Sequence, residues 1–598
     1  MKLNFNIFLL ITALFAFIDL KAQVENDSLH QTNNAFKEIL FNDDHFLEVL
    51  FYKHYNNVLI TNLGTYGSSY YFPTTYFTDN QKSVFAPADV DAKLLKLDGF
   101  KPFTNLTWIN AGRREQILSF HHVQKFGKLA ALNFQYKRIS APGIYINQEA
   151  NTNAFKGAFN FNTHNQLYQV KLIANIDRIR NQENGGLTNI NGFETDTFDR
   201  KSLYQVNLEK SYYEDKWTNF GIEQRFNFAT KKIDSIRTRQ IFVGFSNEYI
   251  TRRRTYYDYD ADSPIYDTTY YDSTSTFWLD SIYQKTFVHR IMLGIDNQKM
   301  SVNGFYEYHQ NEYVQRNGLD TTFNTAYAGL NAGVNFDNAS VQGEFKYGLN
   351  GYNEGDIQTN IAAEINPSSN YFIQLEAKYH LIEPELKYKN YSSNHFVWDS
   401  VNFFKSQTVY LGAKLQLKKY KLTLFANAKL LDKFFYYDSL VVLKQHDFAS
   451  NNMSVGVEKD YRWWNFYFKT ALIYQMTSDE VLLPLPDLVA RQVVYYQNRL
   501  FKHKVLKLRT GFNVSYTSAY YGYEFMPGLS EFYVQQKKEI GNYPYVDFFI
   551  SLHLKRAQIF FKWEHLNAGW SGNNYLLTPT TPAHDRSFKF GVSWNMFD

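Results

Sequence analysis

Cysteine is absent from the 598-residue chain. That removes disulfide frameworks, thiolate metal sites, cysteine nucleophiles and lipid-carrying cysteine anchors together. Proline (13) and glycine (30) are too sparse for collagen-like or low-complexity sequence. Neither charge sign dominates. The 62 Lys and Arg against 58 Asp and Glu leave +4, far from the basic surface that drives phosphate contacts, so no nucleic-acid partner is expected. Long apolar runs are missing too, and beyond the N-terminus nothing approaches the ~18–20 apolar residues of a membrane helix. What the chain holds in excess is aromatic: 53 Phe, 47 Tyr and 9 Trp, or 18%. Mean hydropathy is nevertheless −0.43, because Tyr is polar at its tip.

The first residues read as a processing segment. Met1-Lys2 is followed by an apolar run from Phe5 to Ile18, broken only by Asn6 and Thr12. Leu20-Lys21-Ala22 then precedes Gln23. A run this short, with a charged start and a small residue at the cut, is the pattern of a cleaved signal peptide over 1–22.

Residues 23–100 carry little periodicity and are assigned to an N-terminal segment in the periplasm or the lumen. From about Thr104 onward the pattern has a period of two. Val409, Leu411, Ala413, Leu415 and Leu417 alternate with Tyr410, Gly412, Lys414, Gln416 and Lys418. Val546, Phe548, Ile550, Leu552 and Leu554 oppose Asp547, Phe549, Ser551, His553 and Lys555. Side chains of a strand alternate sides, so each stretch has one apolar and one mostly polar face.

Connections alternate between tight and long. Tight turns are expected near Phe126-Gly127, Asn165, Glu214-Asp215, Gln298-Lys299, Asn338, Ser368-Ser369, Lys419-Tyr420, Tyr461, His503 and Arg556. Longer polar stretches run from Asn181 to Lys201, Tyr256 to Asp280, Leu386 to Ser400 and Met526 to Tyr543. Short turns on one rim and long loops on the other mark a membrane β-barrel. A prior of ~150 residues per domain suggests about four domains. The pattern instead predicts an all-β fold: one large antiparallel transmembrane β-barrel over 101–598, with roughly 22–24 strands and a range of about 18–26.

A water-soluble sandwich or propeller also alternates, but two features count against it. Aromatics crowd the strand ends, as in Tyr461-Arg462-Trp463-Trp464 and Tyr520-Tyr521-Gly522-Tyr523, where rings suit the headgroup level of a bilayer. Charges such as Lys414, Lys429 and Arg509 stand in mid-strand; they are costly in a dry core and harmless in a wet lumen. The chain ends in an amphipathic strand with Phe588, Phe590, Val592, Trp594 and Met596 on one face and Phe597 next to last. This is read as the strand that barrel-assembly machinery engages. The expected location is the outer membrane of a Gram-negative cell, among outer-membrane lipid and lipopolysaccharide.

Several local sequences carry a family resemblance. They are Asn62-Leu63-Gly64-Thr65-Tyr66-Gly67-Ser68, Pro102-Phe103-Thr104-Asn105-Leu106, Arg114-Glu115-Gln116 and Glu183-Asn184-Gly185-Gly186. Tyr543-Pro544-Tyr545-Val546-Asp547, Leu554-Lys555-Arg556-Ala557 and Trp563-Glu564-His565-Leu566-Asn567 follow. In this order they resemble the putative porin family of Bacteroidetes-type outer membranes, from about Asn57 to Asp598. The resemblance implies an outer-membrane β-barrel acting as a passive channel.

Enzyme signatures are missing: there is no G-x-S-x-G elbow, H-E-x-x-H, phosphate loop or dinucleotide fingerprint. No enzymatic activity and no cofactor are expected. His121 and His122 are consecutive and point to opposite faces of a strand, which makes a shared metal difficult. Asp258, Asp260 and Asp262 have the spacing that opens a calcium loop, without the later Gly and Glu that complete one. They are weak metal candidates and otherwise an acidic solvated loop. Arg252-Arg253-Arg254 beside them suggests an ion-pair network at the rim.

The expected function is passive diffusion of small polar or ionic solutes. The expected lumen-lining charges are Lys414, Lys429, Lys507, Arg509, Lys555, Lys562 and Lys589, with Asp547 and Glu564 as counter-charges. The set leans basic, which suggests mild anion preference. A non-conducting structural, secretion or surface-assembly barrel is the alternative, and an energy-coupled transporter a more distant one. Part of 23–100, including Gly64 to Pro73, is expected to fold into the lumen.

Overall fold

The computed structural model describes residues 102–597 except 128, 199, 235–236, 260–264, 272–276, 298 and 400–401, together with 57–59 and 67–69. The expected signal peptide and nearly all of 23–100, including the lumen-filling role expected for Gly64 to Pro73, lie outside the described residues. Only Asn57–Leu59 and Gly67–Ser69 are seen there, as an antiparallel pair.

Twenty-two antiparallel strands close into one barrel. The first seven are β1 (Phe103–Ala111), β2 (Gln116–Phe126), β3 (Ala130–Ala141), β4 (Ala150–Asn162), β5 (Tyr168–Gln182), β6 (Tyr212–Asp234) and β7 (Arg237–Asp258). Next come β8 (Trp278–Asp296), β9 (Met300–Gln315), β10 (Asp320–Asn335), β11 (Ala339–Gly351), β12 (Ile357–Ser368), β13 (Tyr371–Ile382) and β14 (Ser406–Leu417). The ring is completed by β15 (Leu422–Asp432), β16 (Ser450–Trp463), β17 (Phe466–Thr477), β18 (Leu488–Leu500), β19 (Leu506–Thr517), β20 (Tyr545–Leu554), β21 (Ala557–Glu564) and β22 (Ser587–Phe597). Each strand pairs with the next, and β22 pairs back onto β1, Phe103 opposite Phe597. Closure leaves no free edge, so every wall amide finds a partner without water. No helix among the described residues is long and apolar enough to cross a membrane.

The alternation in sequence becomes an inside and an outside. Leu411 is 53% exposed on the outer surface, while Tyr410 beside it is 7% exposed and turned inward. Leu172, Ile176, Leu293, Leu330, Val455 and Trp594 are likewise exposed apolar residues on the outer face, the composition a lipid-facing band requires. In β22 the outer face carries Phe588, Phe590, Val592, Trp594 and Met596, and Lys589, Gly591 and Ser593 point inward. The outer aromatics touch across strands: Trp563 and Phe588 lie 4.8 Å apart and Trp108 and Phe590 6.0 Å apart.

Inside, ring faces lie flat on neighbouring strands where a glycine leaves room. A Cβ on Gly329 would collide with the Phe305 ring, and one on Gly456 with the Phe425 ring. The Arg290 guanidinium lies over the Phe305 ring at 4.6 Å.

Hairpin turns on one rim are short: Lys418–Tyr420 joins β14 to β15, and Lys555 and Arg556 join β20 to β21. The expected turn at Glu214-Asp215 is corrected. Both residues sit inside β6, which runs on to Asp234 before β7 begins at Arg237. β6 and β7 have 23 and 22 residues, about twice the ~9–11 residues a bilayer needs. Their charged upper ends therefore have the composition of a turn while still pairing in the sheet. The Tyr461 turn is likewise shifted, to Trp464 and Asn465 between β16 and β17.

Candidate functional site in the lumen and its outer mouth

The inward wall carries its charges in networks. At the long-loop end of β20–β22, Lys562 Nζ donates to Glu564 Oε1 at 2.6 Å and lies 3.9 Å from Asp547. Lys589 reaches Glu564 at 2.9 Å and also pairs with Glu115, which precedes β2. Four of the sequence-nominated residues therefore meet in one cluster. Spacing by two puts Lys562 and Glu564 on one face, and barrel closure brings β22 and the β1–β2 turn alongside. The cluster is almost dry, and buried ion pairs of this kind hold only when each charge is matched.

The remaining nominated residues scatter. Lys414 and Lys507 lie on the inward faces of β14 and β19, Lys429 is buried in β15, and Arg509 donates to Gln497 Oε1 at 2.7 Å from β19. Lys555 is placed off the wall, exposed in the β20–β21 turn with φ of 52°. Two-residue spacing had put it on the polar face, but the strand ends one residue earlier.

Asp258 is fully buried at the end of β7, 3.2 Å from the Tyr256 hydroxyl that donates to it. Asp260 and Asp262 lie outside the described residues. Of the neighbouring arginines, Arg252 pairs with Asp215 at 2.5 Å and Arg254 at 3.8 Å, the rim network expected. His121 and His122 part to opposite faces, bonded to Asn133 and Thr104 respectively.

A second network was not singled out. Glu307 of β9 receives Arg290 Nε at 2.6 Å from β8, Lys346 Nζ at 2.5 Å from β11 and His309 Nε2 at 2.6 Å. Below it the wall of β9–β13 opens into a cavity of about 580 Å³, lined by Asn303, Asn331, Gln342, Glu344, Asn360 and Lys378 among others. The sign was present in the inward series Asn303, Phe305, Glu307, His309, but cross-strand partners depend on register.

The long loops cover the outer mouth. Loop 518–544, after β19, is the hub. Its Lys538 pairs with Glu194 in loop 183–211 at 2.8 Å, and its Glu531 with Lys387 in loop 383–405 at 2.8 Å. Tyr523 donates to the Leu482 carbonyl in loop 478–487 at 2.9 Å, and the Val534 amide to Tyr437 in loop 433–449 at 3.0 Å. Glu524 accepts from Thr578 in loop 565–586 at 2.8 Å; its burial raises its pKa, against the hydrogen bonds from Thr578, Phe525 and Thr580. Phe525 packs on Ile179, Tyr213 and Tyr256 of β5, β6 and β7. In a ring of 22 strands, β7 stands almost opposite β19, so this loop spans the mouth from wall to wall.

Loops 183–211, 518–544 and 565–586 share an aromatic core with Tyr145, Phe193, Tyr204, Tyr543 and Tyr575. His565 is held inside it, Nδ1–H donating to the His584 carbonyl at 2.6 Å, with Nε2 3.0 Å from the Tyr543 hydroxyl. Burial, then the neighbouring His584, pushes its pKa down to about 3.

A closed 22-stranded wall with charged inner networks and a loop-covered mouth is an architecture of outer-membrane transport barrels. Residues 53–598 match the family described as "Putative porin". The chain belongs to that family. No curated protein matches it in sequence. Among solved structures it is similar to the FrpB iron transporter from Neisseria meningitidis, at 10% identity and a TM-score of 0.55, covering 84% of this chain and 83% of that one. It is also similar to BauA, the ferric preacinetobactin receptor from Acinetobacter baumannii, at 11% identity and 0.52, covering 83% and 80%. The copper transporter OprC gives 10% and 0.56, covering 83% and 80%. At these identities the likeness is one of fold. The porin-family chain is thus a large closed β-barrel.

Proposed function

We propose that this porin-family barrel is an outer-membrane channel through which small polar or ionic solutes diffuse passively, with mild anion preference, and whose own loops govern its outer mouth. The observation that carries the reading is the polar cavity of about 580 Å³ in the inner wall of β9–β13. A row of amides and charges there replaces part of a solute's hydration shell at little cost. The inward lysines and arginines of β14, β15 and β19 support the anion preference. Transport, not catalysis, is the role proposed, with a cleaved signal peptide and assembly machinery serving delivery to the outer membrane, where lipid and lipopolysaccharide surround the barrel.

Planar bilayers test this. The purified barrel is expected to give discrete conductance steps, and a reversal potential favouring chloride under a KCl gradient. Cation selectivity would refute the anion preference. The loop cover favours a second reading, a barrel that does not conduct as purified and serves in scaffolding, secretion or energy-coupled uptake. Complete silence in bilayers, persisting after loop 518–544 is shortened, supports that reading over the first.

A further inference from the structure

The outer surface holds a second cavity, separate from the lumen, of about 280 Å³. It lies where loop 265–270 meets loops 383–405 and 433–449, with Met526 of the hub loop as its floor. Tyr266 and His395 stack in parallel at 3.9 Å on one side, and Trp398 and Phe403 line another. Burial lowers the His395 pKa, against the hydrogen bond its Nδ1–H donates to the Thr268 carbonyl. The lip is apolar and open to water: Leu440 is 78% exposed and Tyr270 55%. Asp267, exposed at the rim, brings the one carboxylate, and no Lys or Arg lines the cavity. Among the described residues no cation pairs with Asp267.

We propose that this cavity captures a small organic cation with a flat apolar body, such as an aryl-alkyl ammonium. The volume suits one small molecule and is too small for a helix or a folded chain segment. Aromatic faces attract a cation as well as a ring. The Asp267 carboxylate, unpaired among the described residues, adds charge complementarity, and an anion would face both that carboxylate and the negative ring faces. An occupied cavity covers the apolar lip, which in its free state stands exposed to water. The site rests on its own geometry, and its binding is read at equilibrium, independently of whether the barrel conducts.

The test is calorimetric titration of the intact barrel in detergent, with micelles alone as the blank. Benzyltrimethylammonium is expected to saturate one site. Tetramethylammonium, which lacks the ring, and benzenesulfonate, which reverses the charge, are each expected to bind about fivefold more weakly or less. Asp267→Asn is expected to weaken benzyltrimethylammonium about two- to fivefold, the effect of one exposed charge. Tyr270→Ala is expected to weaken it by a similar factor through the lost ring. Both residues are exposed, and retained heat-modifiable migration of the barrel confirms that each variant is folded. The proposal is overturned if none of the three probes saturates, if benzenesulfonate equals the cation, or if both folded variants bind as the parent does.

Discussion

At the scale of single residues, the lumen sets charge against charge at close range, and each pair has its own consequence. Glu307 balances Arg290 and Lys346 on the inner wall above the polar cavity. Glu307→Gln removes the counter-charge and leaves both cations facing the passage. The expected result is a permeability ratio about two- to fivefold more favourable to chloride, read from the reversal potential. His565 makes a pH prediction. Its folded pKa of about 3 lies below the ordinary 6.5, so its contribution to stability is present above pH 6.5 and is lost as pH falls toward 3. Over that window one proton costs at most about 1.4 kcal/mol per pH unit. Near-ultraviolet circular dichroism of the loop aromatics is expected to weaken on acidification, and His565→Gln to flatten that dependence.

At the scale of elements, hairpins and loops were legible to different degrees. Turns at Asn338, Ser368-Ser369, Lys419-Tyr420 and Arg556 coincide with actual connections, because a strand ends where its alternation breaks and polar or glycine-tolerant positions begin. Glu214-Asp215 misled because β6 runs on past the bilayer, where charge no longer marks an end. Lys562, Glu564, Asp547 and Lys589 could be nominated from face alone. The cross-strand partners of Glu307 and the loop cover could not, since register and contacts between distant loops leave no local trace. The hub loop carries the prediction at this scale. Lys387→Ala strands the buried Glu531 carboxylate and is expected to destabilise the loop contact by about 3 kcal/mol, the low end for a broken buried pair. Open-channel probability in bilayers is expected to rise, and removal of 523–538 to raise it further.

At the scale of the whole molecule, 18% aromatic content in a chain of negative mean hydropathy has a structural account. Rings coat the lipid face, fill the loop core, and lie on glycines inside the wall, while polar side chains hydrate the lumen. One closed ring absorbs a length that would otherwise suggest several domains. The ring has a single seam, where β22 forms nine residue pairs with β1 and eight with β21. Truncation after Asp585 strips both neighbours of their partner. The expected outcome is loss of the compact, heat-modifiable species on unheated gels and failure to insert into liposomes.

The seam also imposes an order of events. Asn105 Nδ2 donates to Asn595 Oδ1 at 2.7 Å across 490 positions of sequence, and contacts so remote in the chain are made late. The first strand emerges long before its partner exists. Its open edge must be shielded while nearly 500 residues follow, so the time to a sealed barrel is governed by export of the entire polypeptide rather than by the hairpins, which can each form locally as they appear.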